Sequence, residues 1–499
     1  MTVRIGLCGR PAGSHTALPR GATVSHTPEQ PPDSAALRIE YRSIEFVPLE
    51  ERRGKTWHLG TLWFMVNAQV AAFAVGLIGP AIGGSFLTSV LGVVVGVLFG
   101  TFFMAFHSAQ GPRLGLPQMI QSRAQFGYLG VLLPMTLVGL MLIGFNVFNF
   151  QLFGEIAGTT GVAGSATGIV AAAVAAVLVA SVGYHWIHRM ERWFTYLFMV
   201  FFGVLTIGVL VRLDLPADQW SADSFSWVPF LVMFGISAGW QLAWAPYVSD
   251  YSRYLPPSVG HAAPFWWSYG GSALGAIWLM GMGSYLGAAY PDDDSLGSLQ
   301  RAGDLVFPHY GTIVLLYSML GLIAVSAVNL YTAGLTLLSI ADGLHAAAPG
   351  RTGRIATTVV CGLAGMTLAL FAPGDFLANF HSFLLLLLYF MIPWTAVNLV
   401  DYYLVRHGQY DVGELFRKDG IYGRWSVAGL VSYLVGFLAM IPFFSVHGLY
   451  VGTVARALGE GDLAVFVGLL VSAGCYWFMA RPLRQPPRAA APVTTGATP

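Results

Sequence analysis

The side chains of this sequence that could do chemistry are neutral amides and aromatic rings set inside long apolar runs. Asn67 and Gln69 lie in one run, Phe145, Asn146 and Asn149 in another, Trp240 and Gln241 beside Gly239 in a third, and Asn329 in a fourth. Aromatic faces stack on a flat ring, and amides donate and accept along its edge. The set suits a neutral, planar heterocycle. A charged ligand needs a buried counter-charge, which is costly in a membrane, and no ionisable residue falls at the middle of a run. Each candidate also has a structural alternative. Intramembrane amides often join two helices, at about 0.6 kcal/mol per bond, and Phe145 and Trp240 fit core packing.

The acids sit near the ends of the runs: Glu155 toward one side, Asp250, Asp342 and Asp401 toward the other, with Arg253 and Arg406 nearby. A desolvated carboxyl can titrate near neutral pH, so Glu155 is the candidate coupling group. His185 and His188 have i, i+3 spacing but stand in a short basic loop, where headgroup contact explains them. Cys8, Cys361 and Cys475 have no metal or redox spacing. No catalytic residues, metal site or cofactor are expected. The lack of a nucleophile–base pair in the runs disfavours an integral-membrane enzyme, and the lack of a sizeable soluble domain disfavours a sensor.

Membrane helices must position these residues. The chain has 499 residues, 56% hydrophobic and 10% charged, where soluble proteins carry roughly 25% charge; mean hydropathy is +0.65. Stretches 84–106 and 426–444 have no charge and exceed the roughly 18 residues of a span. Twelve spans are expected, near 58–79, 83–106, 129–157, 163–183, 193–211, 228–249, 264–288, 311–340, 355–372, 376–404, 427–446 and 463–480. Both termini then share one side, which also holds 22 of the 25 Lys and Arg residues. The positive-inside rule makes that side cytoplasmic. A net charge of +1 spread over short loops is no nucleic-acid footprint. Residues 1–43 and 484–499 read as disordered cytoplasmic tails around a membrane domain at 44–483.

The third run, FGISAGWQLAWAPYVSDYSRYLP (234–256), is interrupted by Gly235, Ser237, Ala238 and Gly239 and then by Pro246. In lipid, a helix break at mid-depth is tolerated only where it lines a cavity, and secondary transporters build their sites on such breaks. The first run, VNAQVAAFAVGLIGP (66–80), is interrupted in a corresponding place five spans earlier. That correspondence points to an inverted repeat, with repeat one at about 58–211, repeat two at about 228–404, and two appended helices within 427–480.

Five segments resemble the purine–cytosine permease branch of the nucleobase–cation symporter family. They are GLPQMIQSRAQFGYLG (115–130), GFNVFNFQLFGEIAG (144–158), WAPYVSDYSRYLP (244–256), AVNLYTAGLTL (327–337) and PWTAVNLVDYYLVRHGQYDV (393–412). The resemblance extends from about residue 44 to 480. It implies a leucine-transporter-like core and alternating-access uptake of a nucleobase or related ring. By the same resemblance Phe145 and Trp240 stack on the two ring faces, Gly239 offers backbone contact, and Asn149 and Asn329 read the ring edge. Asn67 then lies beside the unwound first span. Where sodium-dependent relatives carry two adjacent hydroxyls, this chain has Ile323 and Ala324, with Ser326 close by. Proton coupling is therefore favoured, with sodium as the alternative.

The expectation is an all-α, twelve-helix, multi-pass protein of the cell membrane, importing a neutral ring such as cytosine, a purine or a hydantoin in symport with protons. Gln241 joins Asn149 and Asn329 in reading the ring. Uptake of another small neutral compound, such as a vitamin or allantoin, is the alternative. The lipid bilayer and the substrate are the expected partners; nucleic acid and an obligate protein partner are not.

Overall fold

The structure, a computed structural model, describes residues 40, 42–345, 350–372, 380–446 and 449–481. The expected C-terminal tail and the N-terminal one up to residue 39 lie outside the described residues. Glu40 and Ser43, assigned to that tail from the sequence, are buried.

Each expected span overlaps helix among the described residues; residues 376–379 of the tenth lie outside them. The first is the bent pair α1 (Trp57–Asn67) and α2 (Val70–Gly76), followed by α3 (Phe86–Ser108), α4 (Leu132–Thr159), α5 (Ser165–Val182) and α6 (Tyr184–Arg212). Then come α7 (Trp227–Leu242) with its continuation α8 (Val248–Ser252), α9 (Ala262–Ala289), and the short connecting α10 (Ser295–Asp304). The series closes with α11 (Tyr310–His345), α12 (Arg351–Phe371), α13 (Phe380–Leu399), α14 (Val427–Met440) and α15 (Ala464–Met479). Among the described residues eight helices are long and apolar enough to cross a membrane, or nine with the bent pair counted as one span. The 28-residue α9 and the shorter apolar α14 and α15 lie in the other expected spans without meeting that measure. The protein is an all-α polytopic membrane protein.

Packing reveals the inverted repeat. α1 and α2 lie on α9, and their counterparts α7 and α8 lie on α3. α4 packs on α5 as α11 packs on α12, α5 meets α11 as α12 meets α4, and α1 meets α6 as α7 meets α13. The pairs α4–α11, α3–α9 and α5–α12 are each their own counterparts. This is the leucine-transporter-like arrangement of five plus five, with α14 and α15 packed outside it on α13.

Small residues permit the two closest approaches. On α3, Gly92, Gly96 and Gly100 form an i, i+4, i+8 ladder; a Cβ at Gly96 would lie 2.4 Å from the Phe234 carbonyl oxygen of α7. On α9, Gly275 and Gly283 do the same against α1 and α2, where a Cβ would fall 2.4 Å from Phe64 O and 2.1 Å from Phe73 O. Lipid supplies no hydrophobic drive between helices, so close backbone packing of this kind holds them together. The two broken spans are thus each seated on a glycine ladder of the opposite repeat.

Candidate functional site

Two helix breaks assemble the site. α1 stops at Asn67, and Gln69 takes an extended conformation (φ −146°, ψ 162°). Its Oε1 accepts from the Ala71 amide at 2.8 Å and caps α2, and the chain bends by 58°. The second break falls later than the small residues at 235–239 suggest. α7 continues through Gly239 to Leu242, and a 3-10 turn, Ala245–Tyr247, leads into α8. Pro246, having no N–H, favours the break there.

Asn67 is the hub between the breaks. Its Nδ2 donates to Trp63 O at 2.8 Å and Ser272 Oγ at 3.0 Å, and its Oδ1 accepts from Trp240 Nε1 at 2.8 Å and Gln241 Nε2 at 3.3 Å. Ser272 Oγ in turn donates to Gln241 Oε1 at 2.5 Å. An amide offers two donors and two acceptor positions, so Asn67 is saturated. In this conformation Asn67 and Gln241 join α1, α7 and α9 rather than facing a ring.

The expected sandwich between Phe145 and Trp240 is not the geometry found. The two rings meet edge to face, with centroids 5.7 Å apart and planes at 89°, because the bond to Asn67 fixes the indole of Trp240. Gly239 offers no free carbonyl either, since its oxygen accepts the Ala243 amide at 2.9 Å within the helix. Trp244, one turn on, has the parallel face instead. Its ring lies 6.5 Å from that of Phe145 with planes 20° apart. Two van der Waals contacts of about 3.5 Å need roughly 7 Å between faces, more than the 6.5 Å between these centroids, so the pair must part to admit a flat ring. The Trp244 indole N–H is buried without a partner.

The remaining polar groups converge on the same break. Tyr247 packs on Trp244 with centroids 5.7 Å apart and donates to Asn329 Oδ1 at 3.3 Å. Asn149, one turn from Phe145, is buried, and its amide bonds to no described residue. Asn146 is turned back on its own helix, donating to Leu142 O at 3.0 Å. The sequence reading missed Trp244 and Tyr247; the signal was Pro246, which lies between them. Glu155 is half-buried near the C-terminal end of α4, about 15 Å along the helix axis from Phe145. Among the described residues no group of His, Cys, Asp or Glu could hold a metal ion.

The family-like motifs do structural work around this site. Arg123 pairs with Asp342 at 2.7 Å, and Gln125 Nε2 donates to Asp401 Oδ2 at 2.8 Å. Arg253 donates to Ser43 O at 2.7 Å and lies 3.5 Å from Glu40, which also accepts from the hydroxyls of Tyr254 and Tyr331. Glu40 and Ser43 are thereby tied to α11 and to the turn after α8.

A helical bundle with two interrupted spans and an aromatic, amide-lined centre defines a multi-span membrane permease. A family described as permeases for cytosine/purines, uracil, thiamine and allantoin matches residues 46–468, and the chain belongs to that family. It is similar to the putative purine-cytosine permease YxlA of Bacillus subtilis (strain 168), with 35% identity over 447 residues, 89% of this chain and 97% of the relative. It is also similar to the purine-cytosine permease fcyB of Emericella nidulans, with 24% identity over 468 residues, 89% and 88% of the two chains. Its fold is shared with Mhp1, a nucleobase-cation-symport-1 family transporter solved closed with bromovinylhydantoin bound. The TM-score is 0.70 at 19% identity, covering 88% of this chain and 95% of that one. The protein is a transporter and not an enzyme.

Proposed function

We propose that this permease imports a neutral, planar nucleobase-like ring across the cell membrane, by alternating access and in symport with protons. Phe145 and Trp244 stack on the two faces, and Asn149, Asn329 and the Trp244 N–H read the edge. Trp240, held by Asn67, closes one end of the slot. The observation that carries this reading is the near-parallel Phe145–Trp244 pair beside an uncommitted amide and an unpartnered indole N–H. Stacking of one base on an aromatic side chain contributes about 1–3 kcal/mol. Both termini are cytoplasmic in this reading, supported by the 22 of 25 Lys and Arg residues on their side.

One observation favours a second reading, sodium coupling: Ser326 Oγ is buried without a partner. Ile323 and Ala324 beside it offer sodium no side-chain oxygen. Uptake of radiolabelled cytosine, uracil, adenine, hypoxanthine, allantoin and thiamine into proteoliposomes, under a pH gradient or a sodium gradient, decides both points. Accumulation of a nucleobase under the pH gradient alone is the expected result. Accumulation of none of the six rings would overturn the substrate class, and accumulation under sodium alone the coupling.

A further inference from the structure

Asn329 comes to the ring slot with part of its amide already spent. Its Oδ1 accepts from the Tyr247 hydroxyl at 3.3 Å, and its Nδ2 makes no bond to a described residue. Both residues are buried. An amide has one oxygen that accepts and one N–H₂ that donates. With the oxygen occupied by Tyr247, the group left for a ring is the N–H₂.

Tyr247 has little freedom to turn away. Its ring packs on Trp244 with centroids 5.7 Å apart, and the 3-10 turn that carries it leads directly into α8. Within α8, Tyr251 donates to Val328 O of α11 at 2.9 Å. Just after α8, Arg253 donates to the Tyr331 hydroxyl at 3.1 Å. Residues 247, 251 and 253 thus meet residues 329, 328 and 331 of α11, and the bond from Tyr247 to Asn329 is part of this fastening.

The other polar groups at the slot are also mostly donors. The Trp244 indole N–H is buried without a partner. The Gln241 oxygen accepts from Ser272, and the Asn67 oxygen accepts from Trp240 and Gln241. The Gly239 carbonyl accepts within its helix. Of the side chains placed at the ring edge, Asn149 alone brings an uncommitted oxygen, since its amide bonds to no described residue. Nucleobases of one shape divide on this property. Hypoxanthine and uracil carry a carbonyl oxygen, an acceptor, where adenine and cytosine carry an amino group, a donor.

We propose that this permease selects rings bearing a carbonyl group over their amino counterparts, hypoxanthine over adenine and uracil over cytosine, and that Tyr247 sets the preference by occupying the Asn329 oxygen. Tyr247 is a positioning residue that acts on the ring through Asn329. An amino ring brings one more N–H to an edge short of acceptors, and leaving that group unsatisfied in the closed site lowers affinity by about 5- to 150-fold. The assignment rests on the ring-binding reading above and is independent of the ion that drives transport.

The test measures binding of hypoxanthine, adenine, uracil and cytosine to the purified full-length chain, with Kd taken from the concentration dependence of thermal stabilisation. In each pair that binds, wild type should hold the carbonyl ring at least about fivefold more tightly. Tyr247→Phe keeps an aromatic ring on Trp244 and gives up only the hydroxyl, which leaves the Asn329 oxygen open to an amino group. The ratio of Kd values within a pair should then fall by about fivefold or more. Lost packing alone would weaken both rings of a pair alike, so an unchanged ratio in Tyr247→Phe overturns the role of Tyr247. A wild type that favours the amino rings, or binds the two rings of a pair equally, overturns the proposal. If Tyr247→Phe does not fold, Tyr247→Leu takes its place and is read by the same ratio. A wild type that binds none of the four rings overturns the ring-binding reading itself, and this assignment with it.

Discussion

Trp244 faces Phe145 with planes 20° apart and centroids at 6.5 Å, while Trp240 meets the same ring at 89°. The difference assigns separate roles to two tryptophans four residues apart. Trp244→Ala removes a stacking face, so affinity for the transported ring should fall by about 5- to 150-fold, the equivalent of about 1–3 kcal/mol. Trp244→Phe should retain most of it. Ligand-induced thermal stabilisation of purified protein reads the effect. If Trp244→Ala binds like wild type, the ring lies elsewhere.

The helices themselves were legible in the sequence because uncharged runs have no stable alternative in lipid. The breaks were legible less sharply. Small residues at 235–239 looked like the interruption, yet glycine within a membrane helix is often a packing device, and α7 ends only at Leu242, ahead of the 3-10 turn that holds Pro246. The glycine ladder at 92, 96 and 100 stood in plain view as SVLGVVVGVLFG, without showing which helix it would meet. Asn67 was found, but its partners lie far along the chain, at Trp240, Gln241 and Ser272. A residue's type does not reveal whether its hydrogen bonds are already spent on neighbours.

Asn67 is predicted to act on stability before it acts on binding. Asn67→Ala strands the Trp240 N–H and frees the Gln241–Ser272 pair from α1. Each buried group left unsatisfied costs about 1–3 kcal/mol, so the melting temperature in detergent should drop clearly without ligand. Asn149→Ala, which removes no bond to a described residue, should melt near wild type while losing ring affinity. Equal melting temperatures for wild type and Asn67→Ala would show that the hub is dispensable.

The glycine ladder gives a sharp contrast between two equally small changes. A Cβ at Gly96 would sit 2.4 Å from Phe234 O and 2.9 Å from its Cα, both backbone atoms that cannot step aside. Overpacking of this kind costs about 1–3 kcal/mol, so Gly96→Ala should push α3 off α7 and lower both yield and uptake. Gly139, with nothing within 4 Å of such a Cβ, should accept alanine silently. Comparing monodisperse yield of the two variants by size-exclusion chromatography checks the prediction; indistinguishable profiles would mean that α3 and α7 have slack between them.

Asp401 supports the site from outside it. It is fully buried in the π-helical turn Val400–Val405 that ends α13. Its oxygens accept from Gln125 Nε2 at 2.8 Å, Tyr410 OH at 2.6 Å, Tyr476 OH at 2.8 Å and Arg406 Nε at 3.2 Å. Gln125 Oε1 accepts in turn from Asn398 at 3.4 Å, Asn398 Oδ1 from Gln110 at 2.9 Å, and Gln110 Oε1 from Gln118 at 3.1 Å. The Gln118 backbone N–H donates to Asp250 at 2.9 Å. One chain of amides thus ties α15 and α13 to α8, immediately below the ring slot. Asp401→Asn removes the charge that pairs with Arg406 and turns an amide N–H₂ toward groups that themselves donate. Breaking a buried ion pair from one side costs about 3–5 kcal/mol, so the variant should fold poorly or not at all. Adding Arg406→Gln removes the stranded cation and should recover part of the yield. A double variant no better folded than Asp401→Asn would place the cost in the lost tyrosine and amide bonds rather than in the unpaired charge.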